Sequence, residues 1–202
     1  MNYLAHLHLA DLSHTSLAGA LLGEYARGAL NPALPVALQT GILLHRRIDS
    51  FTDAHPLHAG RVRALPSPFR RFGGIITDMM FDHFLARHWP RFHAQPLEAF
   101  VQQAHAELQP DRHWPEAMVL LVSRMKQNRL LLHYREFDGI ITALSRIDRR
   151  FKCPTPLPYC RSLLEQYYHD METAFLGFYP ELEKFVLNEA ELVKETTRPT
   201  RR

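Results

Sequence analysis

Cysteine is scarce in this 202-residue chain, which holds two, Cys153 and Cys160. That excludes a disulfide framework, and the spacing in CPTPLPYC matches neither a paired-thiol redox motif nor a zinc knuckle, so reduced structural thiols are expected. Long hydrophobic runs are missing too. Stretches such as Met118-Val119-Leu120-Leu121-Val122 are far too short to cross a bilayer, and no basic segment leads into a signal-peptide core. A cytoplasmic protein that does not enter the membrane is expected. A phosphate-binding glycine loop and a nucleophile elbow are both absent, which argues against the nucleotide-cradling and serine-hydrolase classes that depend on them. Repeats, low-complexity tracts and flexible linkers are also lacking.

What remains is 46% hydrophobic, enough for one sizeable core. Fourteen prolines fall mostly between segments of helical periodicity. The pattern predicts helices near 2–11, 16–29, 36–52, 56–64, 70–88, 96–108, 115–134, 137–150, 159–178 and 180–195, with no strand. Residues 4–11, LAHLHLAD, alternate strictly and also fit a strand; Ser13 and Thr15, suited to capping the next helix, favour a helix. The fold class is therefore all-α: one helical domain over 1–195, with a basic tail, 196–202, expected to be disordered.

Net charge is +3, and its distribution is uneven. Ala54 to Thr77 contains no acidic residue but holds Arg61, Arg63, Arg70 and Arg71; Arg146 to Arg161 sets five basic residues against Asp148. Two basic patches follow. They are either solvated surface or docking sites for an acidic or phosphate-bearing partner. Only Phe69, Phe72, Phe151 and Tyr159 lie near these residues, too sparse an interleaving for single-stranded nucleic acid.

Ionisable residues on apolar helical stripes carry the functional signal, because isolated burial costs several kcal/mol. Glu24 continues the stripe of Leu17 and Leu21, while His45 and Asp49 continue that of Leu38 and Ile42. His45 and Asp49, four apart, share a helical face and can offer nitrogen and oxygen to one cation. In GGIITDMMFDHFLARHW, a segment apolar nearly all round, Asp78 and Asp82 are also four apart. Carboxylates that close repel, which raises one pKa unless a cation sits beside them; a divalent metal fits. Arg46 and Arg47 lie between His45 and Asp49, and guanidinium forks suit phosphate oxygens. His6 and His8 fit a core role and a site role equally well.

The segments MNYLAHLHLA, LLGEYARG, GILLHRRIDSFTD and FGGIITDMMFDHFLARHW, followed more weakly by LLLHYREFDGI and FYPEL, resemble the acyl carrier protein phosphodiesterase family. The resemblance implies an all-helical fold distantly similar to the HD-domain metal-dependent phosphohydrolases. It also implies hydrolysis of holo-acyl carrier protein to the apo form and 4′-phosphopantetheine, with manganese as the metal and magnesium or iron(II) as alternatives. Two departures stand out. Ala20 and Glu24 occupy positions where the family pattern usually reads Asn and Asp, and the His-Asp dyad of HD-domain enzymes appears only reversed, as Asp82-His83.

Ranked by helical face, the metal ligands are Glu24, His45, Asp78 and Asp82, with Asp49 a fifth ligand or an orienting group. The ion is expected to supply the nucleophile, Arg46 and Arg47 to stabilise phosphoryl charge, and His83 or His6 to protonate the leaving serine oxygen. The basic stretches, Arg61, Arg63, Arg70 and Arg71 among them, would steer the acidic carrier protein. The alternatives are a phosphohydrolase of nucleotides or other small phosphodiesters, and a non-catalytic helical module that binds the carrier protein.

Overall fold

In the computed structural model, which describes residues 1–197, ten α-helices and three short 3-10 turns follow one another, and no strand occurs among the described residues. The segment that alternates like a strand is helix α1 (Tyr3–Leu12), with Leu4 to Ala10 all buried. Such all-round burial suits a central helix. Its start is held by Asn2, whose side chain accepts the Tyr3 N–H at 2.9 Å, and its end by Ser13, whose hydroxyl donates to the Leu9 carbonyl at 2.7 Å. Ser16, not Ser13 or Thr15, caps α2 (Leu17–Leu22) through the Gly19 N–H.

Helix α3 (Val36–Ala54) packs on α2 with its backbone pressed against that of its neighbour. A Cβ at Gly41 would lie 2.6 Å from the Gly19 Cα and 2.9 Å from the Ala20 nitrogen. Alanine would gain about 1 kcal/mol of helix propensity there, but these neighbours are backbone atoms that move only if the helices part. Gly41→Ala is therefore expected to lose about 1–3 kcal/mol in urea denaturation; a gain in stability would mean that the interface is looser than described.

Helix α4 (Pro56–Ala64) opens with proline at its first position. Helix α5 (Gly73–Arg87) is the buried centre, packed on α1, α4 and the later helices α9 (Phe137–Asp148) and α10 (Arg161–Thr197). Helices α6 (Leu97–Glu107) and α7 (Glu116–Gln127) both begin directly after proline.

The boundaries differ from expectation in three places. The helix predicted over 16–29 stops at Leu22. The one predicted over 115–134 breaks at Arg129, in the left-handed region at φ 48°, and resumes as α8 (Leu130–His133). The two predicted on either side of Tyr179 are one helix running through Pro180. Proline removes one helical hydrogen bond and crowds the preceding turn, but Phe175, Phe178 and Tyr179 before it and Leu182 and Val186 after it are fully buried, and that packing holds α10 together. Of the expected tail, Thr196 and Thr197 belong to α10, and residues 198–202 lie outside the described residues. Cys153 is exposed and Cys160 buried, both as free thiols. No helix among the described residues is long and apolar enough to cross a membrane.

Candidate metal site

Where α1, α3 and α5 meet, ionisable groups from distant parts of the chain converge. The imidazoles of His6 and His45 stack with ring centres 3.9 Å apart and planes 17° from parallel. Both reach the same carboxylate: His6 Nε2 lies 3.1 Å from Asp49 Oδ1, and His45 Nε2 lies 3.1 Å from Asp49 Oδ2. Both rings are buried, whereas the Asp49 side chain is 41% exposed, so the cluster meets solvent through its carboxylate. The donor atoms of these three residues lie within 4.8 Å of one another.

The donor set suits a divalent ion. An octahedral cation with bonds of about 2.1 Å places adjacent donors about 3 Å apart, close to both nitrogen–oxygen separations here. Burial, and then the neighbouring His45, lower the His6 pKa to about 4, so its ring is neutral at pH 7. Burial alone would raise the Asp49 pKa, but hydrogen bonds from His45 and His6 outweigh it and hold the carboxyl far below its usual range. Two imidazoles, that of His6 neutral, and one anionic carboxylate make up a donor set favoured by borderline transition-metal ions. Nδ1 of each ring is buried with no hydrogen-bond partner among the described residues, so Asp49 is the polar anchor of both.

Asp78 borders the cluster. Its Oδ1 lies 2.9 Å from His58 Nε2 and 3.3 Å from the amino group of Met1, which is also 3.6 Å from Asp49 Oδ1. Burial opposes ionisation of Asp78, yet the Met1 ammonium and His58 pull its pKa down. The same carboxylates, acting against burial, raise the Met1 amino pKa to about 10. Glu24 stands in the exposed turn after α2; desolvation raises its carboxyl pKa, and the charge of His45 partly offsets that rise.

Asp82 faces the same region but is engaged elsewhere. Its Oδ2 accepts the Leu4 N–H at 2.8 Å and its Oδ1 the Ala5 N–H at 3.2 Å, so a carboxylate from α5 caps the first turn of α1. The expected repulsion is present: burial above all, with Asp78 adding to it, raises the Asp82 pKa to about 7. The stability that follows from this raised pKa is complete below pH 4 and is lost as pH rises through 7, by up to about 4 kcal/mol. In EDTA-treated protein, Asp82→Asn should flatten that part of the pH–stability curve. Asp82→Ala should lose about 1–3 kcal/mol for each N–H left unpaired. Urea titrations between pH 5 and 8 check both.

The remaining expected site residues lie elsewhere. His83 turns to the other side of α5, with Nδ1 2.8 Å from the Tyr134 carbonyl and Nε2 2.7 Å from the Tyr168 hydroxyl. Arg46 donates to the Ala26 carbonyl at 2.8 Å and so ties down the loop after α2. Arg47 is 64% exposed and 3.8 Å from Glu189. Arg61 pairs with Asp170 on α10 at 3.3 Å. Arg63, Arg70 and Arg71 are exposed, and the Arg70 Nε donates to the Leu65 carbonyl at 2.8 Å.

Two residues at the site carry no local sequence signal. His58 looks like any other histidine until the fold sets it on Asp78. Gly23 ends α2 in ordinary helical conformation, so backbone freedom does not require glycine there; the His45 ring does, because a Cβ on residue 23 would fall 2.3 Å from His45 Cγ.

The family model described as acyl carrier protein phosphodiesterase matches residues 1–182. The chain belongs to that family. It is 35% identical to the acyl carrier protein phosphodiesterase of Pectobacterium atrosepticum over 184 residues, covering 90% of this chain and 95% of that protein. It is 36% identical to the one from Yersinia pestis, covering 89% and 94%, and 37% identical to the one from an Enterobacter species, covering 90% and 95%. No solved structure matches the chain. The family assignment makes the chain a phosphodiester hydrolase.

Proposed function

We propose that the chain hydrolyses holo-acyl carrier protein to apo-acyl carrier protein and 4′-phosphopantetheine, and that the reaction depends on a divalent metal, with manganese the first candidate. Curated relatives matched over about nine-tenths of the chain bear the name of this activity. The observation that carries the metal reading is the convergence of two stacked, buried imidazoles on one solvent-open carboxylate.

His6, His45 and Asp49 would hold the ion, with Glu24 and Asp78 as flanking carboxylates. When bound, such an ion makes hydroxide available near neutral pH and offsets charge on phosphoryl oxygens. The protein's own part is positioning. Asp49 orients both imidazoles, Gly23 leaves room for the His45 ring, and Asp82 holds the first turn of α1 and thereby places His6. In the overall reaction water adds to phosphorus, the bond from phosphorus to the serine oxygen breaks, and that oxygen takes up a proton.

Holo-acyl carrier protein incubated with the chain and Mn2+ should lose the mass of its prosthetic group and release 4′-phosphopantetheine, and EDTA should stop this. Turnover of nucleotides or other small phosphodiesters without attack on the carrier would overturn the substrate assignment. Undiminished turnover in EDTA would overturn the metal.

A further inference from the structure

The two basic stretches, separated by about eighty positions in sequence, meet in the fold. The Phe72 ring stands edge-on to Phe151, with ring centres 5.5 Å apart and planes at 89°. Arg70 and Arg71 flank the first ring, and Arg150 and Lys152 flank the second; all four are exposed, and Phe151 itself is 41% exposed. The one acid in the second stretch is occupied, because Asp148 Oδ1 accepts the Thr155 N–H at 2.8 Å and so secures the loop after α9. The first stretch contains no acid at all.

The surface sits beside the helix that carries Asp78: Phe72 directly precedes α5, and α9, which ends just before Arg149 and Arg150, packs on α5.

Resting on the function proposed above, we infer that Arg70, Arg71, Phe72, Arg150, Phe151 and Lys152 form one docking surface for the acidic carrier protein. An exposed aromatic framed by arginines has the composition of an interface hot spot. Its predominantly positive charge complements an acidic partner and would speed encounter. Arg61, neutralised by Asp170 on α10, falls outside it.

The test compares Arg71→Glu/Lys152→Glu with Lys184→Glu, a change of the same kind at an exposed residue of α10 outside this surface. Steady-state kinetics on holo-acyl carrier protein with Mn2+ are run from low to high salt. Steering by a charged surface raises association by roughly 10- to 1,000-fold. The double variant should therefore lose at least about tenfold in kcat/KM at low salt, and its salt dependence should flatten. Lys184→Glu should follow the wild type. If the wild type turns over and the double variant is no slower than Lys184→Glu, the docking surface is overturned. If the wild type itself releases no 4′-phosphopantetheine, the proposed function falls and the docking surface falls with it.

Discussion

Asp49→Asn is expected to cut turnover of holo-acyl carrier protein by roughly two to three orders of magnitude or more, the scale set by losing one preorganised charged group in an active site. The carboxylate holds His6 Nε2 and His45 Nε2 at 3.1 Å each, and it is the part of the cluster open to solvent. Asparagine keeps the shape and one acceptor oxygen but removes the anionic charge and one ligating oxygen. The fold should survive with a measurable loss: one buried ring keeps its partner, the other ring nitrogen is left unpaired at a cost of about 1–3 kcal/mol, and the stabilisation expressed in the depressed Asp49 pKa is lost with the charge. The thermal unfolding temperature in EDTA should therefore fall without the loss of the cooperative transition, while stabilisation by added Mn2+ disappears. For the wild type, an ion at about one hundred times its dissociation constant should contribute about 2.7 kcal/mol. If Asp49→Asn keeps full turnover, the carboxylate belongs to the core and not to the chemistry.

Gly23→Ala makes a sharper test of geometry, because it adds one methyl group and removes no functional atom. That Cβ would sit 2.3 Å from His45 Cγ and 2.6 Å from both Cβ and Cδ2 of that side chain, so the ring must move, and because His45 Cβ is fixed to the backbone the turn after α2 must also shift away from α3. Displacing a catalytic group by about 1 Å costs about 100-fold in rate, and a loss of this order is expected. Gly23 has ordinary helical dihedral angles, so alanine adopts the backbone conformation without strain. The far-ultraviolet circular dichroism spectrum should be unchanged while Mn2+ affinity falls in parallel with kcat. Unaltered activity would show that the His45 ring shifts freely and that its stacking on His6 does not matter.

Helix content was legible in the sequence because the apolar positions recur with helical period and prolines mark many of the starts. The boundaries that differ were set by forces a local pattern does not contain. Helix α2 stops at Leu22 where Gly23 meets the His45 ring and Arg46 takes the Ala26 carbonyl. Helix α10 continues through Pro180 because buried aromatics on both sides outweigh one missing hydrogen bond. In the site, the shared face of His45 and Asp49 was readable from their spacing. The pairing of His6 with them was not, since it depends on α1 crossing α3. For the two aspartates of α5 the spacing showed that they are neighbours and repel each other. It could not show that one meets His58 and the Met1 amino group, while the other spends both oxygens on α1.

The basic stretches were also visible in the sequence, but their union through Phe72 and Phe151 was not, and neither was the direction of any arginine. Arg46 and Arg47 lie beside His45 in sequence, yet one donates to the Ala26 carbonyl and the other stands near Glu189. Arg150, a hundred residues further on, is exposed beside Phe151, where that ring meets Phe72.

The most direct measurement is titration of the metal-free chain with Mn2+, with the free ion followed by electron paramagnetic resonance. Saturable binding should appear in the wild type and persist in Asp82→Asn. It should weaken in His6→Ala and His45→Ala by more than the roughly 10- to 100-fold cost of losing a supporting hydrogen bond around a metal. A wild type that leaves the free Mn2+ signal untouched, or a His45→Ala variant that binds as tightly as the wild type, would contradict the assignment of a shared ion to His6, His45 and Asp49.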